Sequence, residues 1–102
     1  MSGPGARVES CVRDGVTVIG IAGELDGRSG PEVQRRLLAM LPEDGPVLLD
    51  MAGLTYLSSG GLRVLLLLHR AAGARIALAR VPPEIRALMA ATGFLDFFTV
   101  TD

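Results

Sequence analysis

From Arg7 to Arg13 polar and apolar side chains alternate, the two-residue period of a strand, and a second β-branched run follows from Val16 to Ala22. Asp14-Gly15 between them predicts a tight hairpin, because glycine tolerates the positive φ that primed turns require. After Gly23 the period changes. Val33, Leu37, Leu38 and Leu41 recur at helical spacing, with Arg35 and Arg36 on the other side. Ser29-Gly30-Pro31-Glu32 has the form of a capping box, and Pro42 stops this helix. Pro46 to Asp50 reads as a short buried strand, and Ser58-Ser59 opens a second helix that runs to about Ala72, with Gly73 past its end. Ala74 to Val81 predicts another strand. Pro82-Pro83 then starts a helix with Ile85, Leu88 and Met89 on one stripe, ended by Gly93, and Phe94 to Val100 supplies a last strand. The order is β-β-α-β-α-β-α-β, an α/β class. Its crossovers predict a mixed sheet of four to five strands packed with three to four helices.

A chain of 102 residues has room for one domain, 1–102, with residues 1–6 expected as a flexible N-terminal tail. Apolar residues make up 49% and charged residues 21%, which excludes disorder as the main state. Ten basic and eleven acidic side chains leave a net charge of −1, and they are scattered. A nucleic-acid binder needs a basic stripe that displaces counterions, so nucleic acid is excluded as a partner. Met1 to Ser10 holds no apolar leader segment, and the Leu62–Leu68 run is far below the ~20 residues of a membrane span, so a cytoplasmic chain with no membrane insertion is expected. One cysteine, Cys11, and one histidine, His69, allow neither an intramolecular disulfide nor a Cys/His zinc site.

The search for catalytic chemistry ends without a site. A nucleophile elbow at Ser59 would need glycine where Leu57 stands. His69 lies ten residues on in the same helix, ~15 Å away at 1.5 Å per residue, and is expected as a core or boundary side chain. Gly60-Gly61 lacks the lysine of a phosphate loop, and Gly20-Ile21-Ala22-Gly23 is no dinucleotide fingerprint. Asp26 and Asp50 both read as strand exits on one end of the sheet, a weak case for a metal, and Asp26 equally suits a helix cap. No metal, cofactor or enzymatic activity is expected. What remains is the serine pair: one serine serves as an N-cap, yet Gly60-Gly61 costs helix stability for no gain visible in the sequence. A phosphoacceptor is the sharper reading, since a helix N-terminus favours negative charge.

The segment from Asp50 through Ser58-Ser59-Gly60-Gly61-Leu62 to Leu65 resembles the signature of STAS domains, the module of sulfate transporters and anti-sigma factor antagonists. Gly23-Glu24-Leu25-Asp26 and Thr92-Gly93-Phe94-Leu95-Asp96 match that family in order, over nearly the whole chain. The resemblance implies a STAS-type sheet and an anti-sigma factor antagonist that binds a GHKL-type anti-sigma serine kinase and is switched off by phosphorylation. Anchored on Gly61-Leu62, the phosphorylated serine falls on Ser59, with Ser58 in place of the family's aspartate and a rival acceptor, and Gly60 in place of its second serine. Asp26, Ser58, Ser59, Gly60, Arg63, Leu67 and Arg70 are the expected partner-binding residues. On a helical wheel counted from Leu62, Arg63 and Arg70 fall at about 100° and 80°, with Leu66 and Leu67 flanking them, while Leu65, Leu68 and Ala72 turn to the sheet. The free protein is expected as a monomer or weak dimer. Rival readings are a STAS subunit that binds the ATPase of an ABC-type lipid transport complex, a stressosome-type scaffold, and a small nucleotide- or ligand-binding domain.

Overall fold

A computed structural model describes residues 5–101. Strands β1 (Ala6–Arg13) and β2 (Val16–Leu25) form the hairpin, followed by α1 (Gly30–Met40), β3 (Val47–Leu57), α2 (Ser59–Ala72), β4 (Ile76–Ala79), α3 (Pro83–Ala91) and β5 (Thr99–Thr101). The sheet order is β1-β2-β3-β4-β5, with β1 antiparallel to β2 and every later pair parallel. The hairpin turn takes φ +53° at Asp14 and +80° at Gly15, as the Asp-Gly pair requires. β1 begins within the stretch expected as a tail, and the Gly5 carbonyl accepts the Glu24 N–H at 3.1 Å. The rest of that stretch, residues 1–4, lies outside the described residues.

Three crossovers step across the sheet in one direction, and such crossovers are right-handed, so the helices gather on one face. Burial follows that geometry. Ile19, Leu49 and Leu78 are register neighbours on the covered face and each is 0% exposed, whereas Val18, Leu48 and Ala77 on the opposite face are half-buried. From the helices Val33, Leu37, Leu65, Leu68, Ile85 and Met89 complete the core.

Where local structure departs from expectation, packing supplies the reason. β3 runs on to Leu57, well beyond Asp50. Its register against β2 shifts twice, between Gly20 and Ala22 and between Gly23 and Glu24, so Met51, Leu54 and Leu57 point inward three residues apart. That spacing disguises the strand as something other than a two-residue repeat. Ala74–Val81 is a strand only over Ile76–Ala79; Gly73–Arg75 form a 3₁₀ turn, tied down by Arg75 Nη1 donating to the carbonyls of Pro42 and Gly45 at 3.1 and 3.2 Å. Phe94–Phe97 is likewise a 3₁₀ turn, and only Thr99–Thr101 remains extended. The three-residue period of that turn brings Phe94 and Phe97 together, ring centroids 6.2 Å apart. Ser29 does not cap α1 through its side chain, and Glu32 instead pairs with Arg35 and Arg36.

Asp50 is not at a strand exit. It sits inside β3 between Gly20 and Ala79, on the open face of the sheet, and a bidentate pair joins it to Arg80, with Arg80 Nε donating to Oδ1 at 3.1 Å and Nη2 to Oδ2. The Arg80 hydrogen bond, helped by the Ala52 N–H, holds the Asp50 carboxyl below its ordinary value. A carboxylate with a depressed pKa stabilises the fold above its unfolded pKa and loses that contribution as pH falls through the folded one. Asp50→Asn should therefore cost about 1 kcal/mol at neutral pH, given how open Arg80 is to solvent. The gap from wild type should close as pH drops below the ordinary carboxylate range, read from urea midpoints at a series of pH values. A gap that stays constant down to acid pH would show that the ion pair contributes nothing.

Candidate functional site

Leu25 ends β2 and the chain turns at once through Asp26–Ser29 into α1. Asp26 holds this turn together. Its Oδ1 accepts the N–H groups of Arg28 at 2.9 Å and Ser29 at 3.0 Å, and its carbonyl accepts Gly30 N–H at 2.8 Å. Ser29 Oγ closes the loop by donating to the Glu24 carbonyl at 2.8 Å and accepting Asp26 N–H at 3.2 Å. The backbone donors, Ser29 first and Arg28 next, keep the Asp26 carboxyl below the usual carboxylate range. Asp26 therefore braces the turn ahead of α1 and is not the helix cap the sequence allowed, because the Arg28 and Ser29 N–H groups it binds both precede Gly30, the first helical residue.

The second half of the site is the start of α2. Ser58 is extended (φ −103°, ψ −178°), donates its N–H to the Leu25 carbonyl at 3.0 Å, and accepts Gly61 N–H on Oγ at 3.4 Å. It is the N-cap, half-buried and occupied. Ser59 is the first helical residue, exposed, and its hydroxyl makes no hydrogen bond among the described residues. The first turn of α2 carries no acidic side chain, so the positive end of the helix is not offset there.

Gly60-Gly61 has a structural purpose that its sequence context did not reveal. A Cβ on Gly61 would stand 2.4 Å from the Leu25 carbonyl oxygen and 2.7 Å from Leu57 Cδ1. A Cβ on Gly60 would stand 2.9 Å from Gly27 Cα and N. Only bare backbone lets the start of α2 press against the β2–α1 turn. On the other side Gly30 presents its backbone to Val64. A cleft of about 300 Å³ opens between the two helix starts, lined by Gly27, Gly30, Pro31 and Gln34 from one side and by Ser59, Gly60, Arg63 and Val64 from the other.

The structure thus brings Ser59, Gly60 and Arg63 to one cleft, with Ser58 and Asp26 in the backbone beneath it. Arg63 and Arg70 are exposed and Leu66 and Leu67 half-buried, while Leu65, Leu68 and Ala72 are buried, as the helical wheel requires. Leu67 and Arg70 do not line the cleft. Asp50, far back along β3, does not join it either. Gln34 and Pro31 went unnoticed in the sequence because nothing local links them to Ser59. His69 is half-buried, edge-on to Phe98 at 5.2 Å between ring centroids, a boundary side chain. Among the described residues no three His, Cys, Asp or Glu side chains cluster as metal ligands, and no helix is long and apolar enough to cross a membrane.

This fold and this loop-to-helix junction define a class. The sequence model of the family described as "Mlab, STAS domain" matches residues 12–100. The chain belongs to the STAS-domain family. A putative anti-sigma factor antagonist, BtrV of Bordetella bronchiseptica, is 29% identical over 93 residues, covering 87% of this chain and 80% of that protein. An anti-sigma factor antagonist from Mycobacterium paratuberculosis superposes with a TM-score of 0.81 at 22% identity, covering 93% of this chain and 84% of that one. SpoIIAA, another anti-sigma factor antagonist, superposes in its unphosphorylated form with a TM-score of 0.71 at 19% identity, covering 95% and 88%. The Bacillus protein in its phosphorylated form gives 0.64 at 19%, covering 95% and 91%.

In an ordinary helix, glycine to alanine gains about 1 kcal/mol. Gly61→Ala should reverse that sign and destabilise by about 1–3 kcal/mol, the cost of forcing a methyl against a fixed carbonyl. Urea denaturation reads the change directly. A variant as stable as wild type would mean that the junction tolerates separation.

Proposed function

We propose that this protein is an anti-sigma factor antagonist working by binding and not by catalysis. Unphosphorylated, it engages a cytoplasmic anti-sigma factor that is itself a serine kinase of the GHKL-type ATPase fold. Phosphate on Ser59 ends the complex. The observation that carries this reading is the division of labour between two adjacent serines: Ser58 Oγ is committed to capping α2, whereas Ser59 is exposed on the rim of the cleft. The likeness to BtrV and to SpoIIAA, whose structure is given in a phosphorylated form, supports it.

A phosphoserine adds about −1.5 to −2 charges, and the start of α2 meets part of that charge with its exposed N–H groups. The fold therefore tolerates the group, and the effect falls on the partner. Asp26, Ser58 and Gly60 shape the ground around Ser59, and Arg63, Leu67 and Arg70 extend the contact along α2. A partner touching Arg63, one turn beyond Ser59, senses the phosphate. A second reading is a STAS subunit seated on the ATPase of an ABC-type lipid transport complex, with which membership of the STAS-domain family is equally compatible.

A pull-down from the source cytosol with wild type, Ser59→Ala and Ser59→Asp, with mass spectrometry of both bait and captured protein, tests both. Wild type and Ser59→Ala should retain a kinase-type anti-sigma factor, Ser59→Asp should lose it, and phosphate should map to Ser59. Arg63→Ala or Leu67→Ala should weaken the complex by about 2 kcal/mol with the fold intact. Retention by Ser59→Asp equal to wild type, or phosphate on Ser58 alone, would refute the assignment. Capture of a transporter ATPase would establish the second reading.

A further inference from the structure

We infer that the free edge of β1 is an interface for a second copy of this chain, joined by antiparallel β1–β1 pairing about a two-fold axis at Cys11. The sheet order leaves β1 and β5 as its edges, and β5 is only three residues long. β1 is eight residues in unbroken register with β2, without a bulge, a proline or a lysine. Those are among the devices by which edge strands are blunted, and the charges that β1 does carry, Arg7, Glu9 and Arg13, restrict which register a partner strand can take.

The hairpin decides which backbone groups face outward. A two-residue turn closed by the Arg13–Val16 pair sends the N–H and C=O of Arg13, Cys11, Glu9 and Arg7 toward β2, and the Gly5 carbonyl on Glu24 keeps the same phase. Val8, Ser10 and Val12 therefore direct their backbone groups to the open edge. Val12 is also 73% exposed, more than any other large apolar side chain described.

Charge then selects the register. A two-fold axis normal to the sheet pairs residues of the same face. An axis at Ser10 sets Arg7 against Arg13, and an axis at Glu9 sets that carboxylate on its own copy; like charges directly opposite are unfavourable. An axis at Val8 opposes Arg7 and Glu9 but protects a side chain already buried and leaves Val12 beyond the partner strand. An axis at Cys11 sets Glu9 opposite Arg13 twice and seats Val12 across from Ser10 twice, in the pairs that exchange backbone hydrogen bonds. Neither Glu9 nor Arg13 forms an ion pair within the described chain. The two Cys11 residues then meet in a non-hydrogen-bonded pair, with Cα atoms about 4.5 Å apart, inside the span of a disulfide. The cysteine is exposed, so it reports the register. The surface shares no lining residue with the Ser59 cleft, and the inference stands or falls apart from the proposed function.

Sedimentation equilibrium of the full chain under reducing conditions, with diamide oxidation and non-reducing electrophoresis alongside, tests it. A concentration-dependent dimer is expected, trapped on oxidation as a Cys11–Cys11 disulfide. Arg13→Glu places carboxylates opposite one another and should weaken the dimer about tenfold. The double variant Glu9→Arg/Arg13→Glu should restore it. Ser10→Pro removes an outward N–H without touching the β1–β2 ladder and should abolish association, with circular dichroism confirming the fold. A chain that stays monomeric across the concentration range, or a dimer indifferent to both Arg13→Glu and Ser10→Pro, overturns the proposal.

Discussion

The carbonyl oxygen of Leu25 lies so close to Gly61 that no side-chain carbon fits between them. The geometry of the cleft between the two helix starts depends on that approach. It lets Ser58 donate its N–H to the same carbonyl, which fixes where α2 begins, and the fixed start leaves Ser59 as the first residue on the outside. Gly60 against Gly27 and Gly30 against Val64 extend the same contact, so two helix starts converge on one small cleft. The cost of two glycines in a first helical turn is accepted because bulkier residues would separate the turns they join.

A second constraint comes from topology. Three crossovers in one direction leave the opposite sheet face without helices, and on that face Asp50 finds its counter-ion in Arg80. The Ser59 cleft and the open sheet face are thus separate surfaces on one small protein. Ser59 stands at a corner tied by side chain–backbone hydrogen bonds: Asp26 Oδ1 accepts Ser29 N–H, Ser29 Oγ donates to the Glu24 carbonyl, and Ser58 Oγ accepts Gly61 N–H.

The element order, the hairpin and its turn, the stripe of α2 and the placement of Ser58-Ser59 at a helix start were all legible in the sequence, because each is set by interactions within a few residues. The same holds for His69 as a boundary residue. Motif order added the family and, with it, an expectation for Ser59 that local physics alone ranked behind a simple cap.

What stayed hidden depends on residues far apart in the chain. The full length of β3 was masked because two register shifts against β2 turn its inward positions into a three-residue spacing. The short β5 was masked because Phe94 and Phe97 pack at the period of a 3₁₀ turn inside a run that reads as a strand. Asp50 looked like a strand exit until its neighbours Gly20 and Ala79 were in place. Gly60-Gly61 looked wasteful because the atoms that demand them belong to Leu25 and Gly27, more than thirty residues upstream. Local patterns carry propensity and caps; only the assembled sheet brings the distant carbonyl that makes a glycine necessary and leaves one serine half-buried in its cap and the next one exposed.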